Sequence, residues 1–259
     1  MNGYQTRYSE INSSLFDNHV RTVKAKKILA IIKDFTRTDI RTIRCLEVGC
    51  STGMNTNYLA DFFKECVGID IDEKAVQYGR LHQKQNVNFL IGDAMRLPLA
   101  KNSFDIVVCN HVYEHVPDSH ELMNEVFRVL KPGGFCYFGA ANKFSIIEGH
   151  YSLPFLSWLP KQMADKYLQF CQKGTIYYEN HLSYYELKQL VKKFSIVDYT
   201  LKIIRDPERF KAEDMIRPDS IIRKIPNFIL NGVILLIPTY VFILTKPDDS
   251  ETNPDENCY

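Results

Sequence analysis

Residues 46–53, with the sequence LEVGCSTG, decide the fold. The apolar run that ends at Val48 predicts a short strand, and Gly49 and Gly53 permit a tight turn before the next helix. Glycines at a strand-to-helix turn also let a ligand approach the backbone closely. The segment therefore predicts a strand–turn–helix unit that binds a ligand.

Outward from this unit, helical and strand patterns alternate. Apolar residues at helical spacing predict a helix from Val20 to Phe35, and further helices are predicted over 73–83 and 118–130. Short apolar runs predict strands over 43–48, 66–70, 87–91 and 104–109. Such alternation favours an α/β fold, a Rossmann-like three-layer sandwich with a mostly parallel sheet covered by helices on both faces.

The second half of the chain is less regular. We expect a helix over 183–194, a strand over 195–204 and a final strand over 239–246. The segment 232–244 is almost wholly apolar, but it is short for a membrane span and Pro238 interrupts it. It is interpreted as a buried strand with a preceding helix.

Composition narrows the classes of protein. The 259 residues are 45% apolar, enough to bury a full core. The 32 basic and 31 acidic residues leave almost no excess of positive charge for a polyanion, so no nucleic-acid partner is expected. Seven cysteines without a C-x-x-C pair indicate a reducing compartment. The first residues lack the apolar stretch of a secretion signal, so we predict a cytoplasmic protein.

Acidic residues near the predicted strand ends indicate the kind of ligand, because ligands of parallel sheets bind beyond those ends. Asp70 is placed to accept two hydrogen bonds from a ribose diol, and Asp93 to meet an adenine amino group. The third glycine of a dinucleotide motif is absent, and Glu47 would repel a pyrophosphate but could order donors around an ammonium group. This pattern favours a nucleoside ligand without phosphates.

With these segments, the sequence resembles the class I S-adenosylmethionine-dependent methyltransferases. The resemblance rests on the loop 47–53, on Gly68-Ile69-Asp70, on Gly92-Asp93-Ala94, and on SFDIVVCNHVYEHV with RVLKPGG downstream. It implies S-adenosylmethionine as cofactor and a seven-stranded sheet whose last strand is antiparallel. The middle loop position of this family is often Gly, so Ser51 is a departure that adds a possible hydroxyl donor.

The resemblance also implies a layout and a binding set. A single methyltransferase domain is expected over 1–247, with N-terminal helices in 1–42, a lid-like insertion over 141–180, a second insertion over 205–238 and a flexible acidic tail over 248–259. Tyr4 and Tyr8 are expected near the cofactor by family analogy. The expected cofactor-binding residues are Glu47, Gly49, Cys50, Ser51, Gly53, Asp70, Ile71, Asp93, Ala94, Met95, Asn110 and His111.

Methyl transfer chiefly needs an aligned acceptor, and a base only where the acceptor is protonated, as a hydroxyl is. The candidate bases are His111, His150 and His181, whereas His115 is expected to order its loop. No metal site is predicted, because the histidines and acids lack ligand spacing. The predicted reaction is O-methylation of a small organic acceptor.

Several alternatives stay open for the acceptor and the activity. Apolar residues around Pro154 and Pro160 could cover a hydrophobic acceptor or pack onto the sheet, and packing is favoured. The second insertion combines basic residues such as Arg217 with isoleucines. This composition suits either peripheral membrane contact with a lipid-linked acceptor or a buried helix, and the buried helix is favoured. A non-catalytic cofactor-binding module and a nicotinamide-dependent enzyme are the competing classes.

Overall fold

The structure, a computed structural model, describes residues 6–11, 13–217 and 219–248. Tyr4, Cys258 and the predicted tail beyond residue 248 lie outside these ranges. The strands are β1 Arg44–Val48, β2 Glu65–Asp70, β3 Val87–Ile91, β4 Phe104–Asn110, β5 Leu130–Ala141, β6 Ser195–Asp198 and β7 Thr239–Thr245. The helices are α1 Tyr8–Ile11, α2 Asn18–Phe35, α3 Met54–Leu59, α4 Glu73–Leu81, α5 Ser119–Val129, α6 Lys161–Phe170, α7 Tyr184–Leu190, α8 Thr200–Arg205 and α9 Asn227–Val233.

The strands form one seven-stranded sheet in the order β3-β2-β1-β4-β5-β7-β6. Neighbouring strands are parallel except β7, which runs antiparallel to both β5 and β6. The predicted mostly parallel sheet with an antiparallel last strand is therefore confirmed. Strand order reverses between β1 and β4, so the crevice beyond their carboxyl ends is where such a sheet binds its ligand.

Side chains that alternate along the strands supply a core on each face of the sheet. On one face Leu46 and Val107 pack in a cluster that includes α5 and α7, and on the other Cys45 and Ile106 pack in a cluster that includes α2, α3, α4 and α8. These strand residues are at most 1% exposed. Burial of both faces explains why the strands are continuous apolar runs rather than alternating ones.

Two expectations for the last third of the chain differ from the structure. The predicted strand 195–204 is wrong beyond Asp198, because that carboxylate accepts the Thr200 N–H at 2.8 Å and α8 begins there. The helix favoured as buried in the second insertion, α9, buries Leu230 but leaves Phe228 76% exposed. Its seven residues form too short a surface to bury a full apolar stripe.

The segment 232–244 forms the end of α9, a 3₁₀ turn and β7, which confirms a buried strand with a preceding helix. None of the helices within the described ranges combines the length and apolarity needed to cross a bilayer. In the first insertion, Leu153, Leu156 and Leu168 pack mainly on one another and on Tyr177, in a cluster apart from the two sheet cores.

We predict that Gly53→Ala destabilises the fold. Gly53 has φ +72°, and an added Cβ would overlap the ring of Phe89. The left-handed backbone alone costs about 1–2 kcal/mol with a side chain, and the overlap adds to it. Urea unfolding should show a loss of at least about 2 kcal/mol. Gly149→Ala is the control, since nothing lies within 4 Å of its added Cβ, and an equal loss in both variants would contradict the prediction.

Candidate active site

A cavity of about 510 Å³ opens at the carboxyl ends of the parallel strands. Its volume lies within the range of small-molecule sites. The N-terminal helices, the loops after β1 to β5, the first insertion and the start of β7 all contribute to its walls. The predicted residues that line it are Gly49, Ser51, Asp70, Ile71, Ala94, Asn110, His111, His150 and His181. The predicted residues Glu47, Cys50, Gly53, Asp93 and Met95 are not among its lining residues.

The glycine loop and the acid after β2 form one hydrogen-bonded unit. Gly49 and Ser51 have φ values of +72° and +50°. The left-handed turn brings the Ser51 N–H to 2.7 Å from Asp70 Oδ2, while the Gly49 N–H donates to the Ile69 carbonyl at 2.8 Å. Ser51 Oγ is buried and has no hydrogen-bond partner in the described part of the chain. The loop therefore presents a hydroxyl and an oriented carboxylate together.

Asp70 is held by the backbone on both sides. Its Oδ1 accepts the Asp72 N–H at 2.9 Å, in addition to the Ser51 contact. Burial raises the pKa of Asp70, and these backbone hydrogen bonds oppose the shift. Asp72 in turn caps α4 and accepts the Ser9 N–H at 2.7 Å, which ties α1 to this edge of the sheet. This contact helps to place Tyr8 at the cavity wall.

Glu47 supports the site from behind the lining residues. It is 3% exposed and accepts hydrogen bonds from Asn55 Nδ2 at 3.1 Å and from Thr56 Oγ1. Burial raises the pKa of Glu47 to about 7, although the hydrogen bonds from Thr56 and Asn55 and, to a smaller extent, the charge of Arg21 lower it. Asp93 accepts the Met95 N–H at 2.7 Å, so its carboxylate shapes the loop whose neighbouring residue Ala94 lines the cavity.

Two cations in α2 line the cavity and were not predicted. Arg21 and Lys24 lie one helical turn apart, and burial lowers the pKa of each. Arg21 Nε is buried and, among the described residues, has no hydrogen-bond partner. Their spacing places both residues on one face of the helix before β1, which is the sequence signal for a shared position. The signal is weak, because basic residues on a helix face are more often solvated.

The cavity is also lined by four histidines, His111, His115, His150 and His181, which we call the histidine wall. His150 Nδ1 lies 2.8 Å from Glu148 Oε1, and Glu148 Oε2 accepts the N–H groups of His150 and Tyr151. Burial acts against the charged forms, but this contact raises the pKa of His150 and lowers that of Glu148. The pair is held as an imidazole oriented by a fixed carboxylate.

His111 makes a similar contact beside β4. It has φ +56°, and its Nδ1 lies 3.0 Å from Oε1 of Glu114, a residue with no exposed surface. Burial would raise the pKa of Glu114, yet the hydrogen bond from His111, together with the nearby histidines once low pH protonates them, holds it at about 2. Glu114 is therefore ionised behind the wall, an arrangement that residue spacing alone did not predict.

The other two histidines are held neutral. Burial lowers the pKa of His115 and of His181 to about 4. His115 packs against Tyr8 and His150 with ring centroids 5.3 and 4.9 Å away, and its buried Nδ1 makes no hydrogen bond within the described ranges. His181 Nδ1 lies 2.8 Å from the Tyr177 hydroxyl. His115, which was expected only to order its loop, therefore also lines the cavity.

Some of these groups come close enough to share a cation. Ligand atoms of Glu148, His150 and His181 lie within 4.8 Å of one another, as do those of Glu114, His115 and His150. Sequence spacing indicated no such set, because His150 lies within the insertion 141–180 and His181 directly follows it, 31 residues along the chain. Chemically, the wall can exchange protons with a ligand or hold a positive charge.

Comparisons with known proteins show which proteins this chain is similar to. A family model described as a methyltransferase domain matches residues 46–138. A probable S-adenosylmethionine-dependent methyltransferase of Mycolicibacterium smegmatis is 35% identical over 104 residues, 40% of either chain. A ubiquinone biosynthesis O-methyltransferase of Pelagibacter ubique is 27% identical over 68% of this chain and 77% of its own.

Among solved structures, a Thermotoga maritima S-adenosylmethionine-dependent methyltransferase, described as a possible histamine N-methyltransferase, superposes with a TM-score of 0.55. The match covers 93% of this chain and 97% of that one at 18% identity, which is a likeness of fold. The residues matched by the family model include most of β1, the loop after it, and β2 to β4. They also include most of β5.

We predict that three residues of the histidine wall, His115, His150 and His181, titrate in two groups. His115 and His181 should stay neutral down to a pH of about 4, whereas His150 should gain its proton above the ordinary value of 6.5. Side-chain nitrogen NMR with assignments from single His→Gln variants measures each titration. Because His115 and His181 bind protons more weakly in the folded state, stability should fall as the pH drops below 6.5. A shared titration of His115, His150 and His181 would contradict this assignment.

Proposed function

Since this chain belongs to the class I S-adenosylmethionine-dependent methyltransferases, we propose that it transfers a methyl group to a hydroxyl oxygen of a small organic acceptor. The observation that carries the proposal is the contact between His150 Nδ1 and Glu148 Oε1 beside the cavity. A hydroxyl must lose its proton during the transfer, and an oriented imidazole is suited to take it. The proposed cytoplasmic location is supported by six free cysteines in the described residues.

The cavity fits the cofactor at several points. Ser51 Oγ and Arg21 Nε are buried polar atoms without partners among the described side chains, and both residues line the cavity together with Asp70. Asp70 would hold the ribose hydroxyls, and Arg21 with Lys24 would hold the carboxylate of the amino-acid end. When bound, S-adenosylmethionine supplies an activated methyl carbon and a good leaving group.

His150 is the proposed base because its partner fixes both its direction and its basicity. With Nδ1 directed at the Glu148 carboxylate, we assign the proton to that nitrogen, which leaves Nε2 to accept one. His181 has a pKa of about 4 and would be a weak base at neutral pH. We assign to His181, through its contact with Tyr177, a role in ordering the wall.

A hydrophobic or lipid-linked acceptor, met at a membrane surface, is the narrower candidate. Ile221, Phe228 and Ile229 are 79%, 76% and 44% exposed on the second insertion, which also carries Arg217 and Lys224. Exposed apolar side chains beside basic ones suit the surface of an anionic bilayer. The Pelagibacter relative, named for ubiquinone biosynthesis, supports an acceptor of this class.

We predict that Asp70→Asn weakens the binding of S-adenosylhomocysteine. Loss of the charge should remove about 1.5–3 kcal/mol from a charge-assisted hydrogen bond, roughly a ten- to hundred-fold change in Kd by calorimetry. Asp61→Asn, at an exposed carboxylate paired with Lys84, is the control and should bind normally. An unchanged Kd for Asp70→Asn would refute the ribose assignment.

We predict that His150→Gln lowers kcat by roughly a hundred-fold or more, as the loss of a general base does. Purified protein, methyl-labelled cofactor and a panel of hydroxyl-bearing metabolites provide the assay, with exposed His120→Gln as the control. The rate should rise with pH through an inflection above 6.5, because the raised pKa of His150 must be exceeded to free the base.

Glu148→Gln should move that inflection to lower pH, because burial then acts on His150 without the carboxylate. Cofactor binding without labelled product across the panel would favour the non-catalytic binding module. A thermal shift with NAD and none with S-adenosylhomocysteine would favour the nicotinamide-dependent enzyme. Full activity of His150→Gln would remove this residue as the base.

A further inference from the structure

A second cavity, of about 890 Å³, lies between α8, the 3₁₀ turn Ile221–Lys224 and β7. Its walls contrast with the ionisable walls of the first cavity. Arg217 and Asp219 are the charged residues among those described that line it. Six isoleucines supply much of the surface, namely Ile203, Ile204, Ile216, Ile221, Ile222 and Ile237.

The two cavities are adjacent. Pro238 and Thr239 line both, so this dipeptide alone stands where they meet. Asn142, which lines the first cavity, holds the preceding segment in place. Its N–H donates to the Pro238 carbonyl at 2.9 Å, and its Nδ2 donates to the carbonyls of Leu235 and Ile237 at 2.7 and 2.8 Å. The position of the apolar cavity is thereby set by a residue of the candidate active site.

Water finds few polar partners along the isoleucine walls of this cavity. A buried water needs two to four polar partners, and among the polar groups of the lining Thr200 Oγ1 already accepts the Val241 N–H at 3.2 Å. An apolar group would instead gain by leaving water, at about 25 cal/mol for each Å² removed. Ile221, which is 79% exposed, also extends the apolar surface from the cavity to the outside.

We propose that the second cavity binds the aliphatic or isoprenoid tail of the acceptor whose hydroxyl-bearing head lies in the first cavity. The assignment rests on the proposed function for its head group, but the tail site has its own physical basis in the isoleucine walls. Arg217 is placed to meet a polar or anionic group where the tail leaves the cavity.

Displacement of cis-parinaric acid, a fluorescent fatty acid, tests the tail site without an identified acceptor. The full chain is saturated with S-adenosylhomocysteine and titrated with octanol, dodecanol and hexadecanol below their solubility limits. The affinity should rise by up to about four-fold for each added methylene and level off when the cavity is full. Equal affinity for the three alcohols would overturn the proposal.

Three matched substitutions locate the site. Ile204→Trp and Ile222→Trp, from opposite walls, should each fill the cavity and weaken dodecanol binding at least ten-fold. Ile229→Trp makes the same chemical change on an exposed residue that does not line the cavity, and should bind dodecanol normally. Calorimetry with S-adenosylhomocysteine verifies that each variant is folded. Equal weakening in all three, or in none, would place the tail elsewhere.

The methyl-transfer assay separates this proposal from the preceding one. Length-dependent alcohol binding that the wall variants abolish, with no labelled product from any acceptor, would support the tail site and reject the proposed reaction. Labelled product from short and long acceptors at the same KM would support the reaction and overturn the tail site. A KM that falls with tail length, and loses that dependence in Ile222→Trp, would support both.

Discussion

The hydrogen bond from the Ser51 N–H to Asp70 Oδ2 is the contact on which the site depends. It links the left-handed turn after β1 to the end of β2, at the place where two neighbouring strands end together. The turn requires glycine at position 49, because a Cβ added there would lie 2.5 Å from Val112 Cγ2. If this turn opened, the loop hydroxyl, the acid and the start of α3 would lose their common orientation.

Charge is distributed unevenly around the first cavity. Arg21 and Lys24 lie in its wall, whereas Glu114 stands behind His111 and Glu148 lines the cavity beside His150. Burial keeps water away from both cations and lowers their pKa values. An anionic ligand group beside them would supply the hydrogen bonds that water does not. In the histidine wall, carboxylates orient the imidazoles that they contact, and the contact with Glu148 raises the pKa of His150. The comparison of His150 with His115 shows this, because comparable burial leads to opposite pKa shifts.

The two insertions have different physical characters. The first packs around Leu156 and Tyr177 and brings Glu148 and His150 to the first cavity. The second is anchored by an ion pair of 2.9 Å between Lys27 and Asp214, yet leaves a large apolar space beside β7. A polar head site and an apolar tail site would therefore be built by separate segments of the chain around one strand end.

The sequence alone determined the strands β1 to β4, the turn at Gly49, the acid at Asp70 and the family to which they point. These features depend on residues that are adjacent in the chain, namely apolar strand runs and glycines that permit left-handed turns. Tertiary structure alone decided that Arg21 and His150 share a cavity, since they are far apart in sequence and packing of α2 and of an insertion unites them. It also decided that Thr200 begins a helix and that Phe228 is exposed. A short apolar run is compatible with a strand, a helix or an exposed segment, and the residues that pack against it in the folded protein determine which of these it becomes.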